Sequence, residues 1–195
     1  MKIMGIDPSS TATGWAIIKG LHTMDLDAYG IIKPPSGKTQ HPSLPTFLRE
    51  HLADKRYHAF CRTLYTLEHL PRVACEAPPD LIVVEIPSGL IGTGAKRGAR
   101  GSLTSYGFAA GAIFATLHCI MPPAGRVLPV TERHWIGRNN SKLKRQLEVA
   151  SLYGQYDRKY DRGGDASDAI SLARWGMRNM GAWIGGETGR FGQTG

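Results

Sequence analysis

A chain of 195 residues, 42% hydrophobic and 21% charged, is long enough for one domain with a sizeable core. Its 24 Lys+Arg against 16 Asp+Glu give a net charge of +8, which favours an acidic partner, nucleic acid ahead of an anionic membrane. No apolar run approaches the roughly 18 residues of a membrane span, no amino-terminal signal peptide is visible, and Cys61, Cys75 and Cys119 have neither the even number of a disulfide framework nor a zinc spacing, so they read as reduced, mostly buried thiols of a cytosol-like compartment.

Residues 2–6 are short, apolar and bounded by turn residues, and read as a first strand. Alternation sets Ile3, Gly5 and Asp7 on one side and Lys2, Met4 and Ile6 on the other. Pro8-Ser9-Ser10 is a turn, and residues 13–18 form the returning strand of a hairpin. Asp7 thus stands where an apolar strand ends, a costly place for a carboxylate unless it is paired, bound to a metal, or capping the turn. Residues 26–33 continue the meander as a third strand, and residues 34–46 form a loop rich in Pro and Ser.

Residues 47–75 show helical spacing in Phe60, Leu64, Leu67 and Val73, with a break expected near Pro71 that divides a short helix from a longer one. His51, His58 and His69 lack metal-ligand spacing and read as solvated. Residues 81–86, LIVVEI, form the most apolar strand, a central one buried on both faces, with Pro87 ending it immediately after Glu85 and Ile86. Residues 87–101 are glycine-rich and carry Lys96, Arg97 and Arg100; they fit neither a dinucleotide nor a P-loop spacing and read as a basic loop beside the site.

Residues 102–121 read as a thin-skinned Gly/Ala helix with Ser102 as N-cap, stopped by Pro122-Pro123. A last strand at 127–130 and a helical turn at 131–135 follow. Between positions 133 and 145 stand Arg133, Arg138, Lys142, Lys144 and Arg145, a dense positive run read as a DNA face, with Ser141 capping a helix that reaches about residue 153. After a polar loop at 154–164, Asp165 opens a final helix with a buried face of Ala166, Ala169, Ile170, Ala173 and Met177. Asp165 and Asp168 are one helical turn apart and look the same way. As N-cap and first-turn acids they have an ordinary structural explanation, but that explanation does not extend to Asp7 or Glu85.

An Asp after a first strand and small-residue hairpin, a Glu ending a later strand, and a closing D-x-x-D-A helix resemble, in order, the RuvC family of Holliday-junction resolvases among the RNase H-like nucleases. The resemblance implies an α/β, RNase H-like fold over residues 1–182: a five-stranded mixed sheet, its first three strands antiparallel, flanked by helices, with 183–195 as a disordered tail. It sets the first strand beside the fourth, with Asp7 and Glu85 ending parallel neighbours about 4.8 Å apart. It implies a catalytic, metal-binding set of Asp7, Glu85, Asp165 and Asp168 that holds two Mg²⁺ ions, or Mn²⁺ in their place, about 4 Å apart. Asp7 bridges the ions in that scheme, Glu85 and Asp168 hold one each, and Asp165 completes the site or positions water. Lys142 falls near a basic residue that the family sets beside the scissile phosphate.

The implied protein is a cytoplasmic homodimer, in a bacterial cell and encoded by host or phage, that cuts four-way junctions in symmetric pairs without a nucleotide cofactor. Two departures stand out: Ser88 stands near the place of the family's aromatic wedge, and the loop before Tyr106 is longer and more basic. Three other readings compete: a nuclease of flaps, forks or single strands, a non-catalytic DNA-binding protein, and an RNase H-fold ATPase or sugar kinase. The last needs two such lobes, and this chain has room for one.

Overall fold

The computed structural model describes residues 1–9, 11–34, 55–86, 100–121, 126–136 and 141–184. Strands β1 (Lys2–Asp7), β2 (Thr13–Lys19) and β3 (Asp25–Ile32) form the meander, and β4 (Leu81–Ile86) and β5 (Arg126–Thr131) complete one five-stranded sheet in the order β3-β2-β1-β4-β5. Among the described residues the helices are α1 (Lys55–Glu76), α2 (Arg100–Ile120), α3 (Glu132–Trp135), α4 (Lys142–Leu152) and α5 (Asp165–Ile184). The β1–β2 and β2–β3 pairs are antiparallel, β1–β4 and β4–β5 parallel, so β1 lies beside β4 as expected. None of the described helices is long and apolar enough to cross a membrane.

Strand alternation divides the core in two. Ile3, Ala16, Ile18, Leu81 and Val83 meet Ala169, Ile170, Ala173 and Met177 of α5 on one face. Met4, Ile6, Ile17, Ile82 and Val84 meet Leu70 and Ala74 of α1 and Ile113 and Leu117 of α2 on the other. Asp7 shares its side with Ile3 and Gly5 and therefore belongs to the α5 face.

Several expectations need correction. Pro71 lies inside α1 and does not break it. Proline forfeits one backbone bond there, but Leu70 and Ala74, both almost fully buried, hold the helix to the sheet across it. Helix α2 starts at Arg100, so Ser102 falls in its first turn and not at the N-cap. Of the cysteines only Cys61 is buried; Cys75 and Cys119 are exposed. The loops at 34–46 and 87–101 and the tail at 183–195 lie wholly or largely outside the described residues.

Two glycines seat α5. A Cβ on Gly5 would collide with the Ala169 carbonyl and lie 2.6 Å from the Ala173 nitrogen; one on Gly14 would collide with the Asp165 carbonyl. Gly14 pairs with Asp7 across the hairpin, so the start of α5 rests directly on the strand beside Asp7. Gly14→Ala should cost about 1–3 kcal/mol through overpacking. Gly111→Ala, at a helical position where a Cβ meets nothing within 4 Å, should stabilise by about 0.5–1 kcal/mol. Urea unfolding of the two variants checks both signs.

Candidate active site

Asp7 and Glu85 reach one edge of the sheet by register. Gly5 pairs with Val83 and Ile6 with Val84, so the next step sets Asp7 beside Glu85 at the carboxyl ends of parallel strands. Connections diverge here, because β1 turns back into the hairpin while β4 leads across to α2, and such a switch point is the usual place for a site in an α/β sheet. The hairpin turn is tied locally: the Thr11 amide donates to Ser9 Oγ at 3.1 Å and buried Thr13 Oγ1 donates to the Ser9 carbonyl at 3.4 Å.

Helix α5 brings the other two acids. Its start is held by Asp161, fully buried, whose carboxylate accepts from the amides of Ala166 (3.0 Å) and Ser167 (2.8 Å) and from the Tyr156 hydroxyl (2.7 Å). The Asp161 carbonyl accepts from Gln146 Nε2 of α4. The loop before it is strapped along edge strand β3, with Tyr153 OH donating to the Met24 carbonyl at 2.7 Å and Tyr29 OH to the Gln155 carbonyl at 3.1 Å. Gly164, at φ +76°, turns the chain into α5 and leaves room for the Lys142 stem.

The electrostatics are those of crowded acids. Asp7 lies deep among protein atoms although part of its surface stays open. Its pKa is raised well above the carboxylate range, by burial first and then by the charges of Glu85 and Asp168, with Lys142 opposing. Burial likewise pushes Glu85 up to about 7, against the lowering effect of the Tyr106 hydroxyl, which donates to Glu85 Oε1 at 2.9 Å. Glu132, the residue after β5, adds negative charge beside Glu85.

Asp165 and Asp168 are engaged differently. Arg145 Nε donates to Asp168 Oδ1 at 2.6 Å and its Nη2 to Oδ2 at 3.1 Å, in a buried fork set over the Trp135 ring. Lys142 Nζ lies 3.2 Å from Asp165 Oδ1 and 3.4 Å from Asp168 Oδ2. Burial works to lower the Lys142 pKa, but Asp168, Asp165 and Asp7 outweigh it and raise it. Ser141 caps α4 as expected, its side chain accepting from the Lys144 amide.

The expected acids are thus brought within range of one another's charge, and two of the expected DNA contacts lie among them. Lys142 sits between Asp165 and Asp168, and Arg145 faces inward and not toward solvent. Lys144 is exposed on the opposite side of α4. Arg133 lies in α3 and Arg100 opens α2, while Lys96, Arg97 and Arg138 fall outside the described residues. Sequence reasoning missed Glu132, although it directly follows a strand parallel to β4, as Glu85 ends its own. Tyr106 and Asp161 carried no local signal.

Oxygen-only donors suit a hard divalent cation. Asp7 and Glu85 fit one, being crowded acids whose mutual repulsion a cation relieves. Among the described residues, however, no group of three or more His, Cys, Asp or Glu side chains stands ready to hold a metal. Asp165 and Asp168 are turned to Lys142 and Arg145 instead.

The architecture is the RNase H-like fold: an antiparallel meander extended by parallel crossover strands, with the C-terminal helix over the first hairpin. Two structures of Thermus thermophilus RuvC, the first in complex with a Holliday junction substrate, match with TM-scores of 0.59 and 0.57 at 15% and 17% identity, each over 95% of this chain and 97% of the other. The Fowlpox virus Holliday junction resolvase matches with a TM-score of 0.51 at 12% identity, over 92% of this chain and 99% of that one. No family model and no curated protein matches the sequence.

The raised acids make stability depend on pH. Between the unfolded carboxyl range at about pH 4 and the raised folded values, about 7 for Glu85, the folded ion-free protein binds more protons than the unfolded chain. Its stability is therefore full below that window and is lost as pH rises through it. In EDTA, the melting temperature should fall from about pH 5 to about pH 8, and Asp7→Asn should flatten the fall. A melting temperature that climbs across this window contradicts the assignment.

Proposed function

We propose that the chain is a divalent-cation-dependent endonuclease that resolves four-way DNA junctions by paired, symmetric phosphodiester cuts. The observation that carries this reading is the meeting of Asp7 and Glu85 at the ends of neighbouring parallel strands, with Asp165 and Asp168 arriving from the first turn of α5. The fold likeness to a RuvC solved with a Holliday junction and the net charge of +8 support it. Asp7 and Glu85 would hold the first ion, with Asp165 and Asp168 as further ligands for a second, Mg²⁺ or Mn²⁺. Such ions supply an activated water and stabilise the leaving 3′ oxygen.

The chain's own groups have distinct tasks. Asp7 and Glu85 draw the cations into a partly desolvated mouth, where charge acts more strongly than in water. Tyr106, kept a neutral donor by burial and by the Glu85 charge, orients one Glu85 oxygen. Lys142, half-exposed at this mouth, presents an ammonium to an approaching phosphate. The exposed Lys144, with Arg133, Arg138 and the basic residues Lys96, Arg97 and Arg100, holds the DNA backbone. The nuclease domain takes in residues 1–182, and α5 continues past that bound to Ile184. A cytoplasmic homodimer suits paired cuts on a nearly two-fold junction.

One observation favours a non-catalytic DNA-binding protein: Lys142 and Arg145 already neutralise Asp165 and Asp168. Asp7→Asn separates the two readings. In the nuclease, this change should cost cleavage in Mg²⁺ several kcal/mol, on the order of a thousandfold, while junction affinity in EDTA holds or rises slightly. Near wild-type cutting by the folded variant, offered four-way junction, flap, fork and duplex side by side, would falsify this active site. Lys144→Ala should weaken junction binding and reduce the slope of log K against log salt by roughly 0.9. An unchanged slope moves the DNA face elsewhere.

A further inference from the structure

Arg145 stands in the dense basic run of the sequence, yet its side chain is 9% exposed and its partner Asp168 8%. The fork covers both Asp168 oxygens, at 2.6 and 3.1 Å. Both partners are locked. Arg145 lies on the buried face of α4 with Gln146 and Val149, its guanidinium 5.5 Å from the centre of the Trp135 ring. Asp168 sits in the first turn of α5, whose amides Asp161 caps, and Gln146 ties that cap back to α4. Lys142 differs: at 45% exposure and on a flexible stem, its ammonium can step into water. Arg145 cannot do so without leaving a buried charge behind.

We infer that Arg145 is a positioning residue that sets how tightly this site takes a second divalent cation, because an ion that binds Asp168 must compete with its guanidinium fork. The inference rests on the nuclease reading. Among the described residues no guanidinium fork faces Asp7 or Glu85, and these two take the first ion. The protein therefore loads its cations unequally, and Asp168 stays oriented while only one is bound.

Mn²⁺ titration of the full chain without DNA tests this, with free Mn²⁺ followed by electron paramagnetic resonance and melting temperature recorded with and without the ion. Wild type should show one tight site and a second weaker by about tenfold or more. In Arg145→Met the second affinity should rise by about tenfold or more toward the first. Its ion-free melting temperature should fall, and the rise on adding Mn²⁺ should exceed that of wild type. Arg158→Met, which removes a guanidinium from the exposed loop, should leave both affinities alone.

A lower ion-free melting temperature with wild-type affinities and a wild-type Mn²⁺ response means a merely structural pair and overturns the inference. So do two equal sites in wild type, or equal tightening in Arg158→Met. Should Arg145→Met not fold, Arg145→Lys decides, since it keeps the charge and loses the fork: an intermediate second affinity supports the inference, an unchanged one overturns it. Failure of the nuclease reading looks different. Wild type would then bind no Mn²⁺, or bind it equally well in Asp7→Asn, and both ideas fall.

Discussion

Helix α5 lies so close to the first hairpin that neither Gly5 nor Gly14 could carry a side chain. That contact fixes the height and direction of the helix start, and with it the positions of Asp165 and Asp168 relative to Asp7. The sheet supplies the other coordinate, because the parallel register of β1 and β4 delivers Glu85 to the same edge. Asp161 supplies the third by satisfying amides of the helix's first turn that have no partner within the helix. Remove any one of these and the acids scatter, whatever their own chemistry.

Bringing acids together has a consequence that the structure resolves in two ways. Asp7 and Glu85 sit on the sheet side with no fork upon them among the described residues, and their protonation is favoured by burial first and then by neighbouring acids. Asp168 stays paired through Arg145, and Asp165 through Lys142. A buried pair of the Arg145–Asp168 kind is weak evidence of net stability, but breaking it by removing one partner costs about 3–5 kcal/mol. The pair therefore makes better sense as a device that orients Asp168 than as a source of folding energy.

Much of this could be read from residues in order. The alternation Ile3, Gly5, Asp7 set the acid on one side of the sheet, which the structure covers with α5, and the run LIVVE identified an interior strand with a charged end. The neighbourhood of β1 and β4 came from resemblance, since strand order is a long-range property that no local pattern encodes. Pro71 misled because its local cost is real while the burial of Leu70 and Ala74 that overrides it is tertiary. The basic run misled for a different reason. Counting charges treats Lys142, Lys144 and Arg145 alike, whereas the helical period groups Arg145 with buried Gln146 and Val149 and sets Lys144 on the opposite, solvated side.

That period has a wider bearing on how a basic segment beside an acidic site should be read. A cation on the solvent face of a helix lowers the energy of an approaching phosphate and is screened by salt. A cation on the buried face of the same helix acts on its own protein's acids, is screened much less, and competes with any metal they bind. Lys144 and Arg145 are adjacent in sequence and fall on opposite sides of this divide. Net charge of +8 describes the first role only. The second is governed by which carboxylate the helix face meets, and here that is decided by the seating of α5 on Gly14 and Gly5.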